Sequence, residues 1–168
     1  LLGFETGAET PRWTYTSDVP VLTLRGTSTP LLIGDNAVAG FGDGKVVAID
    51  LDSGNVSWES RIGIPQGGSE IDRIVDIDGV MTVQGIELFV SSYQGRVAAL
   101  DIRTGRKLWQ QNVSSVTGTS VGFGNVYVAD VDGTVSAFLR NGQGARWQNI
   151  ELGYRELSRP TPVKSYVA

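Results

Sequence analysis

The sequence predicts an all-β chain, a segment of a β-propeller made of four-stranded antiparallel blades. Three observations predict it. No window of 11 residues carries a convincing 3.6-residue apolar stripe, so little or no helix is expected. Three segments read alike: Asn36–Ile62, Ile86–Val113 and Asn125–Ile150. Each has a short apolar run, a turn dipeptide, a second apolar run, a Gly-containing turn and then a Trp. The four Trp residues stand at 13, 58, 109 and 147, spaced by 45, 51 and 38. A period of about 40–50 residues that varies with loop length marks repeated four-stranded sheets.

Taken in order, residues 1–17 carry Thr6-Gly7 and Trp13, the tail of an earlier repeat. Residues 29–62, 79–113 and 117–151 are the three complete blades. Asp43-Gly44, Gln94-Gly95 and Asp132-Gly133 supply their central hairpins, because Gly and Asp tolerate the backbone a tight turn needs. In Val46-Val47-Ala48-Ile49 the apolar residues come back to back, as expected of strands covered on both faces. Residues 158–168, opening Ser158-Arg159-Pro160-Thr161-Pro162-Val163, read as the first strand of a later repeat. Propellers close with about four to eight blades. Three blades and two partial ones are expected to be part of a longer chain, and the start at Leu1 without Met points to an N-terminus elsewhere.

Two segments exceed what the repeat needs: Asp18 to Gly26, and Gly63 to Gly79. Such loops are where function concentrates, since the sheets are occupied with packing. In the first, Leu22 and Leu24 point to one side of an extended segment beside Arg25. Exposed, they form a recognition patch; buried, they merely connect blades. In the second, Glu70, Asp72, Asp76 and Asp78 stand against Arg73 alone, a net of −3. Three readings offer themselves: an acid–base carboxylate pair, a solvated loop, or carboxylates that complement a cation, with Arg25 the candidate. The third is preferred, because charge pairs at an interface set orientation and specificity.

Composition excludes much else. The chain has 168 residues with no His and no Cys, so it holds no Ser-His or Cys-His nucleophile pair, no His/Cys metal site and no disulfide. A net charge of −4 argues against nucleic acid, which requires a basic stripe. Apolar runs fall far short of the ~20 residues of a membrane-spanning helix. Gly118-Thr119-Ser120-Val121-Gly122 fits G-x-S-x-G, but no helix follows it and no His serves as base. Asp50-x-Asp52, Asp76-x-Asp78-Gly79 and Asp130-x-Asp132-Gly133 lack the full calcium-loop run. No catalytic residue, metal or cofactor is expected. The sequons at Asn55 and Asn112 read as chance.

The second turn of each repeat carries Ala-x-Asp-x-x-(Ser/Thr)-Gly-x-x-x-Trp. It stands as Ala48, Asp50, Ser53, Gly54, Trp58 and again as Ala99, Asp101, Thr104, Gly105, Trp109. This resembles the tryptophan-docking motif of quinoprotein-like (PQQ-type) eight-bladed propellers, in which the indole packs across neighbouring blades. The third copy keeps Ala137 and Trp147 but has Leu139 for Asp and Gly142-Gln143 for Thr-Gly. Within that superfamily, Pro20 to Gly26 (Leu22-x-Leu24-Arg25-Gly26) and Ser69 to Asp78 (Glu70-Ile71-Asp72-Arg73, then Asp76 and Asp78) resemble two hallmark loops of the BamB family, one blade apart. That resemblance implies a non-enzymatic scaffold of the β-barrel assembly machinery at the periplasmic face of the Gram-negative outer membrane. It also implies a lipid-anchored full-length protein, docking to a periplasmic POTRA domain of BamA through Leu22, Leu24, Arg25, Asp76 and Asp78, and outer-membrane proteins as clients. The alternatives are a fragment of a quinone-dependent dehydrogenase and a propeller with an unrelated partner.

Overall fold

The computed structural model describes residues 1–18, 22, 27–153 and 155–168. Among them there is no helix. A hairpin comes first, β1 (Leu2–Gly3) with β2 (Trp13–Thr14). Sheet I follows: β3 (Leu31–Ile33), β4 (Asn36–Gly40), β5 (Lys45–Asp50) and β6 (Val56–Arg61). Sheet II holds β7 (Thr82–Gln84), β8 (Glu87–Ser91), β9 (Arg96–Asp101) and β10 (Lys107–Asn112). Sheet III holds β11 (Thr119–Gly122), β12 (Asn125–Ala129), β13 (Val135–Leu139) and β14 (Ala145–Asn149). A last hairpin pairs β15 (Pro162–Val163) with β16 (Tyr166–Val167). Each four-stranded sheet is an antiparallel meander in sequence order. The fold is the expected all-β propeller architecture.

The back-to-back apolar runs of the middle strands follow from burial on both faces. In β5, Val46 and Ala48 join a core cluster with Leu88 and Ala98 of sheet II. The alternate residues Val47 and Ile49 pack with Trp13 and Tyr15 on the other side. In β9, Leu100 faces sheet I while Val97 and Ala99 meet Val126 and Phe138 of sheet III. Each sheet is thus the filling between two neighbours, and polar residues are pushed to turns and outer strands.

The tryptophans tie one repeat to the next. Trp13 donates its indole N–H to the Leu51 carbonyl (2.8 Å), Trp58 to that of Ile102 (3.1 Å) and Trp109 to that of Arg140 (2.7 Å). Each acceptor lies in the β5–β6-type turn of the following sheet. Each ring also covers a glycine of that turn: a Cβ on Gly105 would sit 2.4 Å from Trp58 Cε3. At Gly105 φ is +69, so the position demands glycine twice, for backbone and for space. In the divergent third turn Gly142, at φ +78, takes the docking role one residue early, and a Cβ there would lie 2.3 Å from Trp109 Cγ. Every sheet keeps a bulge at its Trp, as between Ala48 and Ile49 opposite Trp58 and Val56. Trp147 is 39% exposed and lies against Tyr127, with ring centroids 6.0 Å apart.

Candidate functional site: the loop face

With four antiparallel strands per sheet, the last strand ends where the first began. The connections between sheets therefore emerge on one face, together with the β4–β5, β8–β9 and β12–β13 turns. The tryptophan-docked turns lie on the opposite face. Both long loops are sheet-to-sheet connections, and their described parts, 15–18 with 27–30 and 62–81, start and end on the first face.

The two loops meet at one point of sheet I. Ser28, buried at the end of the first loop, donates its backbone N–H to the Gly40 carbonyl (3.1 Å), and its hydroxyl accepts the Gly40 N–H (2.8 Å). From the second loop, Ile77 donates its N–H to the Phe41 carbonyl (3.2 Å). A Cβ on Gly40 would fall 2.3 Å from Ile77 Cγ2. Glycine at 40 lets both loops close on the same strand end. On the near side, Ser17 donates its hydroxyl to buried Asp43 (2.9 Å), whose carbonyl accepts from Arg61 (3.0 Å).

Leu22 is 44% exposed. Leu24 and Arg25 lie outside the described residues. The second loop has a buried stem and an exposed tip. Ile74, Val75 and Ile77 are buried, and the Asp76 carbonyl accepts the Tyr93 N–H of sheet II (2.9 Å), so the stem bridges two sheets. The Asp76 side chain is fully buried, and both Asp78 carboxylate oxygens are shielded from solvent. These two carboxylates sit beneath the surface, where they can orient a loop but do not stand out to meet a partner. Glu70 and Asp72 are exposed on the tip.

The repeat-motif carboxylates are engaged by their own turns. Asp50 accepts from the Ser53 hydroxyl (2.7 Å) and amide (2.8 Å), and these bonds hold its carboxyl below the usual range. Asp101 is lowered likewise by its bonds to the Arg103 guanidinium (3.0 Å) and amide (2.9 Å). Gly54 stands under Trp13 as Gly105 stands under Trp58. Among the described residues no group of three or more acidic side chains is arranged to hold a metal ion.

Sequence reasoning missed the clamp on the second loop's tip. Ser69 donates its amide to Asp72 Oδ2 (3.2 Å), and the Asp72 amide returns to the Ser69 hydroxyl (3.2 Å). Gln94 of the β8–β9 turn donates its side-chain amide to the Ile71 carbonyl (3.2 Å), from a left-handed backbone at φ 44. The S-x-x-D spacing of Ser69 and Asp72 was a local signal for the first pair. Nothing in the sequence signals the second, which joins residues 23 apart.

Fold and loop face together define the class: a segment of a tryptophan-docked β-propeller with two built-up loops on one face. The family described as outer membrane protein assembly factor BamB matches residues 1–149. The BamB of Pseudomonas aeruginosa is 51% identical over 151 residues, 90% of this chain and 40% of that protein. The BamB of Vibrio cholerae is 35% identical over 166 residues, 99% of this chain and 42% of that protein. The crystal structure of BamB from Moraxella catarrhalis superposes with a TM-score of 0.92 at 33% identity, covering 99% of this chain and 50% of that one. This chain belongs to the BamB family, and it spans about 40% of the length of those curated relatives. A quinohemoprotein alcohol dehydrogenase from Comamonas testosteroni shares the fold alone, with a TM-score of 0.57 at 21% identity.

Proposed function

We propose that this chain is part of a non-enzymatic scaffold subunit of the β-barrel assembly machinery. In this reading the full-length protein is lipid-anchored at the periplasmic face of the outer membrane, docks a POTRA domain of BamA and assists the folding of outer-membrane β-barrel clients. Leu22 and Leu24 supply apolar contact and Arg25 a charge-assisted bond. Asp76 and Asp78 orient the patch from below. The observation that supports this reading is that Ser28, at the end of the first loop, and Ile77, in the second, both close on Gly40 and Phe41, which brings parts of two distant segments to one strand end. The names of the relatives as assembly factors agree with it.

The test uses the full-length parent and the purified periplasmic domains of BamA. Arg25→Glu reverses the charge that this reading assigns to the contact and is expected to weaken binding by on the order of 2–5 kcal/mol, the cost of truncating a desolvated charge contact. A correctly folded Arg25→Glu protein that binds as tightly as the parent overturns the reading.

A further inference from the structure

The second loop spends order on a side chain it leaves in water. Ile71 is 64% exposed, more than Leu22 on the same face, yet three elements hold its backbone. The Ser69–Asp72 pair closes the tip from within, and the Ile74 N–H donates to the Ile71 carbonyl (3.3 Å). Gln94 grips the same carbonyl from sheet II. The next sheet-to-sheet loop steadies Gln94 in turn, since the Ser114 hydroxyl accepts the Gln94 N–H (2.9 Å). Beneath, the buried stem bridges sheets I and II. Fixing a loop costs conformational entropy that an exposed isoleucine does not return in the free protein. It is recovered when a partner covers the residue, since a pre-ordered anchor loses little more on binding. Beside the tip lies a recess of about 280 Å³ lined by Ile64, Gln66, Gln94 and Arg96, open to a partner's polar groups. Glu70 and Asp72 flank Ile71 against the single cation Arg73, so the edge stays net negative and the complementary surface is an apolar depression with basic side chains at its edge.

We infer that Ile71 is a pre-organised anchor, inserted into an apolar, cation-rimmed depression of the same protein that docks on the first loop. This rests on the docking reading above and extends it to a residue that reading does not use. Full-length parent, Ile71→Asn, Glu70→Lys and Arg25→Glu are compared for affinity to the periplasmic domains of BamA, with melting midpoints measured alongside. A photo-crosslinking side chain at position 71 reports proximity. Ile71→Asn is expected to lower affinity roughly tenfold or more, as for a central anchor, with the midpoint unchanged. Glu70→Lys slows association, and added salt removes the difference. The crosslinker at 71 forms an adduct with BamA. If the parent binds, Arg25→Glu weakens it and Ile71→Asn stays within twofold of the parent, this inference is overturned and the docking reading stands. Weakening by Ile71→Asn but not by Arg25→Glu overturns the two-loop docking reading and supports Ile71 as an anchor for BamA on the second loop alone. A parent that does not bind BamA overturns both.

Discussion

Gly105→Ala isolates what tryptophan docking contributes to this fold. Two costs arise. Alanine at φ +69 is strained by about 1–2 kcal/mol, the usual penalty of a Cβ in left-handed backbone. The new methyl would also lie 2.4 Å from Trp58 Cε3 and push the indole away. Losing the Trp58 N–H bond to Ile102 adds about 1 kcal/mol, and re-exposing part of a ring now 8% exposed adds about 1–2 more. Gly34→Ala is the control. Its φ is +57 and nothing lies within 4 Å of an added Cβ, so it carries only the backbone cost. The expected excess of Gly105→Ala over Gly34→Ala is about 2–3 kcal/mol. Trp58→Ala alone should cost about 3–5 kcal/mol, and in its background the excess at Gly105 should vanish. Urea unfolding of the full-length parent, followed by circular dichroism, measures all of these. Equal costs for the two glycine variants, or an excess that survives Trp58→Ala, would refute the docking argument.

Arg140 pairs with Glu87 across sheets II and III and also donates to the Gln84 carbonyl (3.2 Å). Since Arg140 is 37% exposed, Arg140→Ala should cost about 1–2 kcal/mol, less than a fully buried charged bond, and Glu87→Gln should remove most of that difference in a double-mutant cycle. The Ser69 hydroxyl and then the Ser69 amide hold the Asp72 carboxyl below its ordinary value. A depressed folded value means the bonds help at neutral pH and are lost as pH falls from the ordinary carboxylate range through the folded value. Ser69→Ala should therefore move the Asp72 titration upward, seen by NMR; an unmoved titration contradicts the clamp.

The architecture was legible because it is written in local terms. Alternating burial on both faces makes apolar runs of the kind seen in Val46–Ile49, and turns need glycine at positions such as 54 and 105. The third turn shows where local pattern fails. Read in register, Gly142 occupies the place of Ser or Thr, yet its N–H bonds to the carbonyl three residues back instead of four, and Gly142 still receives Trp109. What the docking needs is a left-handed residue without a side chain under the indole, and that can be met in more than one register.

The loops divide in the same way. Their excess length and their charged and apolar residues could be read directly from the chain. Which carboxylates lie in solvent could not. Asp76 is buried and Asp72 exposed although they are four residues apart, because the stem crosses two sheets and the tip does not. Nor could the meeting of Ser28 and Ile77 at Gly40, or the hold of Gln94 on Ile71, which join residues 12 to 37 positions apart. Sequence determines the repeat because each strand and turn answers to its immediate neighbours. Burial and long-range pairing answer to whatever the folded sheets bring alongside, and only the tertiary structure decides that.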